Sequence, residues 1–424
     1  MFNQGGLSLE QAPPISVVLK FFITASIFGT LLGVYLFGNS TNILSFDNHT
    51  IYLTTIHILA LGVMASFMFG ALFQMLPVIA GVVIKVPKTK SMVAHIALVV
   101  GLILQLTAFI TSNSALYLIS ATVLGYGLLH ATTLMLKEIV KIKDHSNSSL
   151  GILFALGSFT IAILFGVYLL LTLGGYVEGT FFIPIREAHY SFAIFGWITL
   201  LVISISFQVV EMFYVTPKFP PLLSRHLSVT IFILLISKTI ILFMELNSTI
   251  LNIAIALLFI IYASITIYQL YKRRRPTSDA TVWFWRLGMG LLIVSSIIVI
   301  AFNIVHLDER IEALSYFTFI GFVLSIVFAM VYKIVPFLVW FHLSNQGYME
   351  APMMFDVIHP KKAKIHFWIH ISMLTTWILS LLYEPISIVA SILLSISFGW
   401  LLYHLIFALR KYNYTQKHTE KMEW

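Results

Sequence analysis

The chain has no cysteine among its 424 residues. That excludes disulfides, thiolate zinc sites, iron–sulfur clusters, CxxCH haem attachment and cysteine nucleophiles. Any metal must be held by His, Met, Tyr or carboxylate. Charge is also scarce: 10% of residues are Asp, Glu, Lys or Arg, against about 25% in a soluble domain. Too little polar surface remains to coat a globule in water, and 59% of the residues are hydrophobic. The chain therefore reads as an all-α integral membrane protein in contact with the lipid bilayer. The net charge of +8 does not point to nucleic acid, because the basic residues sit in short loops, where they set topology. No cleavable signal peptide is expected: the first apolar run begins near Ile15, is long, and lacks a small-residue exit.

At about 20 apolar residues per span, the hydropathy pattern predicts twelve transmembrane helices. They fall near 15–38, 51–81, 91–112, 115–137, 150–175, 187–213, 226–246, 249–271, 282–305, 311–340, 364–383 and 386–410. Lys and Arg mark alternate connections. One side carries Lys85, Lys88 and Lys90, then Lys137, Lys141 and Lys143, Lys218 and Arg225, Lys272 through Arg275, Lys361 to Lys364, and the basic tail from Arg410; the opposite side shows mainly Arg186 and Arg310. This bias predicts the cytoplasmic (inner) membrane with both termini cytoplasmic. The longest loops, 341–363 and 174–188, are too short for a soluble domain, so residues 1–424 are expected to form one membrane domain.

Three even-numbered spans share a pattern. Gly62 is followed by Gln74 and Pro77, Gly196 by Gln208 and Glu211, and Gly321 by Lys333 and Pro336, at the same offsets. The next helix opens in each case with a histidine: His95, His226 or His366. This reads as three pseudo-repeated four-helix arcs, about 15–137, 150–271 and 282–410, and repeats of this kind place sites at their interfaces. The recurring glycines also suit tight helix packing.

Fourteen histidines are the chemistry-bearing residues, several of them inside apolar runs. His57 lies two turns into the second span, where a neutral imidazole ligates haem iron or copper without burying a charge, or bonds a neighbouring helix. Gly62, Ala65, Ser66 and Gly70 leave room for a flat cofactor or a close helix. His189 opens the sixth span beside Arg186 and Glu187, as an interfacial residue or a ligand. His366 and His370, at i and i+4, share a helix face that suits a metal or helix packing. His306 near the end of the ninth span is placed to meet a cofactor edge. Lys238 and Glu245, seven apart on one face, read as a structural pair or a proton path. Arg186, Arg286 and Arg310 match haem propionates in chemistry, or simply snorkel at helix ends.

These features together resemble a family. Twelve spans in three arcs with cytoplasmic termini are similar to the catalytic subunit of the haem–copper oxidase superfamily. The stretch from His57 to Gly70-Ala71-Leu72-Phe73-Gln74-Met75-Leu76-Pro77 resembles the second helix of its nitric oxide reductase and cbb-type branch, where the histidine binds the low-spin haem. Lys364-Ile365-His366-Phe367-Trp368-Ile369-His370 is similar to short oxidase-like and NnrS-type membrane proteins. The resemblance implies b-type haem, with copper a second candidate, and His57, His189, His366 and His370 as metal ligands. The departures are as informative. The family's tenth helix supplies two histidines, whereas this chain has Ala313-Leu314-Ser315-Tyr316-Phe317-Thr318-Phe319-Ile320-Gly321. His189 matches the first copper histidine, but no His-His pair follows it. A complete binuclear centre for oxygen or nitric oxide reduction is therefore not expected. Tyr316 is the family position's remaining ligand type, and a haem shared by His57 and His189 is the alternative geometry. Two functions follow. One is a haem-binding protein of respiratory electron transfer or nitric oxide handling, taking electrons from a quinone or other respiratory-complex subunits. The other is a cofactor-free accessory subunit or a proton or solute conduit.

Overall fold

The computed structural model describes residues 12–39, 49–275, 279–305 and 307–421; His306 lies outside them. The described residues are helical almost throughout. In chain order the long helices are α1 (Ile15–Gly38), α2 (His49–Ala80), α3 (Pro87–Thr111), α4 (Ser114–Ile139), α5 (Asn147–Leu173), α6 (Phe182–Tyr214), α7 (Pro221–Phe243), α8 (Thr249–Tyr271), α9 (Ala280–Ile304), α10 (Glu309–Asn345), α11 (Pro360–Ser380) and α12 (Ile386–His418).

Eleven of these, among the described residues, are long and apolar enough to cross a membrane. The remaining one is α11. Its 21 residues form the helix expected at the eleventh place, but Lys361, Lys362, Lys364, His366 and His370 dilute its apolar character. An all-α, multi-pass membrane architecture is thus established.

Local chemistry sets the helix limits. Proline stands at the first position of α3, α7 and α11, where its missing N–H costs nothing. The Asn113 side chain accepts the Leu116 amide at 3.2 Å to start α4. Ser146 accepts the Ser149 amide at 3.1 Å to start α5. Asp279 caps α9 by accepting from the Thr281 and Val282 amides, and it also pairs with Lys333 of α10.

The chain groups into two compact units. Among the described residues, the first comprises 12–13, 72–275, 292–305 and 307–315; the second comprises 14–39, 49–71, 279–291 and 316–421. Within the first, α5 is the hub and packs on α4, α6 and α7. Approach is close: a Cβ on Gly151 would lie 2.1 Å from the Ser204 hydroxyl of α6. Within the second, α12 packs on α1 and on α11. Glycine permits these contacts because lipid provides no hydrophobic drive between helices and close backbone approach supplies the packing energy instead.

The Asp279 cap gives the fold a pH signature. Burial alone pushes its carboxyl up, but the Lys333 ammonium, the Thr281 hydroxyl and the Val282 amide hold it below its ordinary value. A group with a lowered folded pKa contributes stability above its unfolded value, and that stability is lost as pH falls through the folded value. Thermal unfolding in detergent is expected to move down as pH drops through the acidic range, and Asp279→Asn should flatten that part of the profile.

Candidate functional site

The sequence repeat hides a backbone feature. In α2 the segment Ile58–Ala65 is π-helical, and in α6 so is Phe192–Thr199. Each is eight residues long and is followed by a fifteen-residue α-helical segment. Gly62 and Gly196 occupy the same place in the two. Their widened turns are closed by hydroxyls: Ser66 Oγ donates to the Leu61 carbonyl at 3.4 Å and Thr199 Oγ1 to the Ile194 carbonyl at 2.9 Å, each five residues back. At the third repeat position α10 stays α-helical through Gly321. Stretches of π-helix are uncommon and occur often at functional sites.

His57 immediately precedes the first π segment, in the second unit. Its Nδ1 lies 2.8 Å from the Leu53 carbonyl. A carbonyl only accepts, so Nδ1 carries the proton and Nε2 is the ring's lone-pair nitrogen. His189, in the first unit, lies three residues before the second π segment and obeys the same rule: Nδ1 donates to the Ala162 carbonyl of α5 at 2.8 Å. Its ring sits against Gly166, where a Cβ would come within 3.0 Å of His189 Cε1. Both histidines therefore have the orienting hydrogen bond and the tautomer of an Nε2 metal ligand. Gly70, by contrast, serves close packing, since a Cβ there would meet Phe22 at 2.9 Å.

By register, the residues aligned with His57 are Ser191 and Tyr316. Ser191 is used. The Lys238 ammonium of α7, itself 2% exposed, donates to Ser191 Oγ at 3.1 Å, pairs with Glu187 at 3.1 Å and lies 5.5 Å from the centre of the Tyr190 ring. This corrects the expected pairing of Lys238 with Glu245. Glu245 lies beyond the end of α7 in a left-handed turn (φ 56°) and is exposed. Seven-residue spacing puts two side chains on one face only while the helix continues.

In the second unit α10, α11 and α12 enclose another polar group. His366 is fully buried, with Nδ1 2.9 Å from the Tyr332 hydroxyl and Nε2 2.8 Å from Ser397 Oγ. One turn on, His370 is also fully buried, with Nε2 2.9 Å from Ser325 Oγ. The Phe328 ring lies 4.5 Å from the His366 ring and the Phe284 ring 5.6 Å from that of His370. His366 thus uses both nitrogens on hydroxyls. The repeat-related histidines differ from it: His226 is exposed and His95 half-buried.

The remaining candidates are dispersed. Tyr316 is 39% exposed on α10, and Arg186 and Arg310 are exposed near helix starts. Among the described residues, no three His, Asp or Glu side chains come together in a way that would hold a metal ion. Reasoning from sequence missed Tyr332, Ser325 and Ser397 as partners, and Glu187 as the counter-ion of Lys238. The heptad spacing of Thr318, Ser325 and Tyr332 is a signal that marks the polar face of α10. No family model matches the chain, and no curated protein matches it.

Proposed function

We propose that the protein is a b-type haem-binding membrane protein of the haem–copper oxidase scaffold, acting in respiratory electron transfer or nitric oxide handling without a complete binuclear centre. One observation carries the reading. Two intramembrane histidines, each at the approach to a π-helical segment, have Nδ1–H committed to a main-chain carbonyl and Nε2 as the lone-pair nitrogen. Backbone carbonyls fix ring orientation and raise the basicity of Nε2, which is how proteins prepare an imidazole for iron. Haem would supply a reversible one-electron couple and a site for a diatomic gas.

The chain's own residues have separable tasks. His57 and His189 are the axial-ligand candidates. Arg186 and Arg310, at helix ends on the side poor in basic residues, suit propionate pairing. Copper has less support, because both ring nitrogens of His366 already bond hydroxyls. The Lys/Arg bias supports an inner-membrane location with cytoplasmic termini. A quinone or a neighbouring respiratory subunit is then the electron donor.

The test is haem content in variants produced with ample haem. Wild type is expected to show a Soret band, and His57→Ala, His189→Ala or both should lose or shift it. Unchanged spectra in both variants would overturn the ligand assignment. A folded wild-type protein without haem would overturn the reading and favour the cofactor-free accessory subunit.

A further inference from the structure

The geometry points to a proton relay through the second unit, with His366 between the Tyr332 and Ser397 hydroxyls as its central step. A neutral imidazole has one N–H and one lone pair, and here each nitrogen faces a hydroxyl that can donate or accept. Both tautomers therefore satisfy both ring nitrogens. In one, the Tyr332 hydroxyl donates to Nδ1 while Nε2–H donates to Ser397. In the other, Nδ1–H donates to Tyr332 and the Ser397 hydroxyl donates to Nε2. A histidine kept only for packing needs no such degeneracy, and His189 lacks it, because a carbonyl fixes its tautomer.

The transfer balances with water as co-reactant at each end. Tyr332 passes its proton to Nδ1 and is refilled by water on its side. Nε2 passes its proton to Ser397, which releases its own to water beyond. One proton enters and one leaves per passage; the starting tautomer is regained by exchange with internal water, Nδ1 giving its proton to water and Nε2 taking one from water.

The surroundings extend the path both ways. Next to Tyr332 on α10, Lys333 pairs with Asp279, and this pair is part-exposed (side chains 20% and 36%). From Ser397 toward the start of α12, Ser391 and Ser387 are buried hydroxyls, with Ser391 Oγ donating to the Ser387 carbonyl at 2.8 Å, so that Ser391 takes part as an acceptor. The ten helical steps from 387 to 397 cover about 15 Å.

His370 adds a place for internal water. Ser325 donates its only hydroxyl proton to the Gly321 carbonyl at 2.6 Å, so His370 Nε2–H must donate to Ser325. Its Nδ1 lone pair is then buried with no hydrogen-bond partner among the described residues, and so is Nε2 of His404 on α12. Buried polar atoms of this kind are where internal water binds.

The experiment is proton flux into vesicles of phosphatidylethanolamine and phosphatidylglycerol that carry the full-length protein and an internal pH dye, driven by a potassium diffusion potential. Wild type should conduct protons well above protein-free vesicles. His366→Phe and Tyr332→Phe should each lower the protein-dependent flux by about a hundredfold, the lower end of what a positioned proton-transfer group contributes. Tyr332→Phe keeps the ring and its packing, so it guards against misfolding of the other variant. His226→Ala, at the exposed repeat-related histidine, should leave the flux unchanged, and Tyr332→Phe should keep the haem content of wild type, which separates this relay from the haem reading. Wild-type flux no higher than that of empty vesicles, or full flux in both ring variants, would overturn the relay.

Discussion

Glu187→Gln is expected to destabilise the protein by about 3 kcal/mol, the lower end of the cost of stranding a buried charge. The choice of the lower end follows from exposure: the Glu187 side chain is 29% exposed, whereas that of Lys238 is 3%. Removing the carboxylate's charge leaves an ammonium inside the membrane with no other ion-pair partner among the described residues; Ser191, the Tyr190 ring and the new amide oxygen are all neutral. Removing the ammonium instead leaves a carboxylate with access to water. Lys238→Met should therefore cost well under half as much, and the double variant should recover most of the loss caused by Glu187→Gln. Thermal unfolding in detergent measures all three. Equal losses in the two single variants would show that the pair is not the buried-cation arrangement described here.

Gly33→Val should be as damaging, at about 3 kcal/mol, the upper end of the usual overpacking range. A Cβ at Gly33 would lie 2.3 Å from Ser395 Oγ, 2.6 Å from the Ser395 amide nitrogen and 2.7 Å from the Ser391 carbonyl oxygen. Two of these three atoms are backbone, so no rotamer change relieves the clash and α1 must move off α12. Gly38, at the end of the same helix, has nothing within 4 Å of its would-be Cβ. Gly38→Ala is the control and should be close to neutral. Loss of folded protein on gel filtration for Gly33→Val but not Gly38→Ala is the expected outcome; a stable Gly33→Val variant would mean that α1 and α12 do not pack this closely.

The sequence carried most of the architecture because bilayer thickness and loop charge are both written locally. Runs of apolar residues bounded by Lys and Pro place helix ends within a few residues, as at Pro87, Pro221 and Pro360. The π segments were not legible. Their glycines and hydroxyls look like ordinary helix-packing residues, and the difference from α10 lies in backbone hydrogen bonding that no spacing rule reports. Partners distant in sequence were equally hidden. Lys238 had a carboxylate seven residues away that looked adequate, while Glu187 came from another helix. Likewise, His366 and His370 looked like a metal pair because i, i+4 spacing says nothing about what faces them. Tyr332, Ser397 and Ser325 come from α10 and α12, and only the packing of those helices on α11 turns two histidines into a hydroxyl-bonded pair. The tautomers of His57 and His189, on which the functional reading rests, depend on carbonyls at positions 53 and 162. Any helix would offer the first; only the fit of α6 on α5 at Gly166 offers the second.

The most direct test of the account is a pair of visible spectra, oxidised and reduced, of wild-type protein purified in mild detergent after expression with ample haem, with iron and copper measured on the same sample. The account predicts a Soret band that sharpens on reduction, with iron present in step with the protein. A folded, colourless protein without iron would contradict it and leave the two oriented histidines as elements of the packing alone.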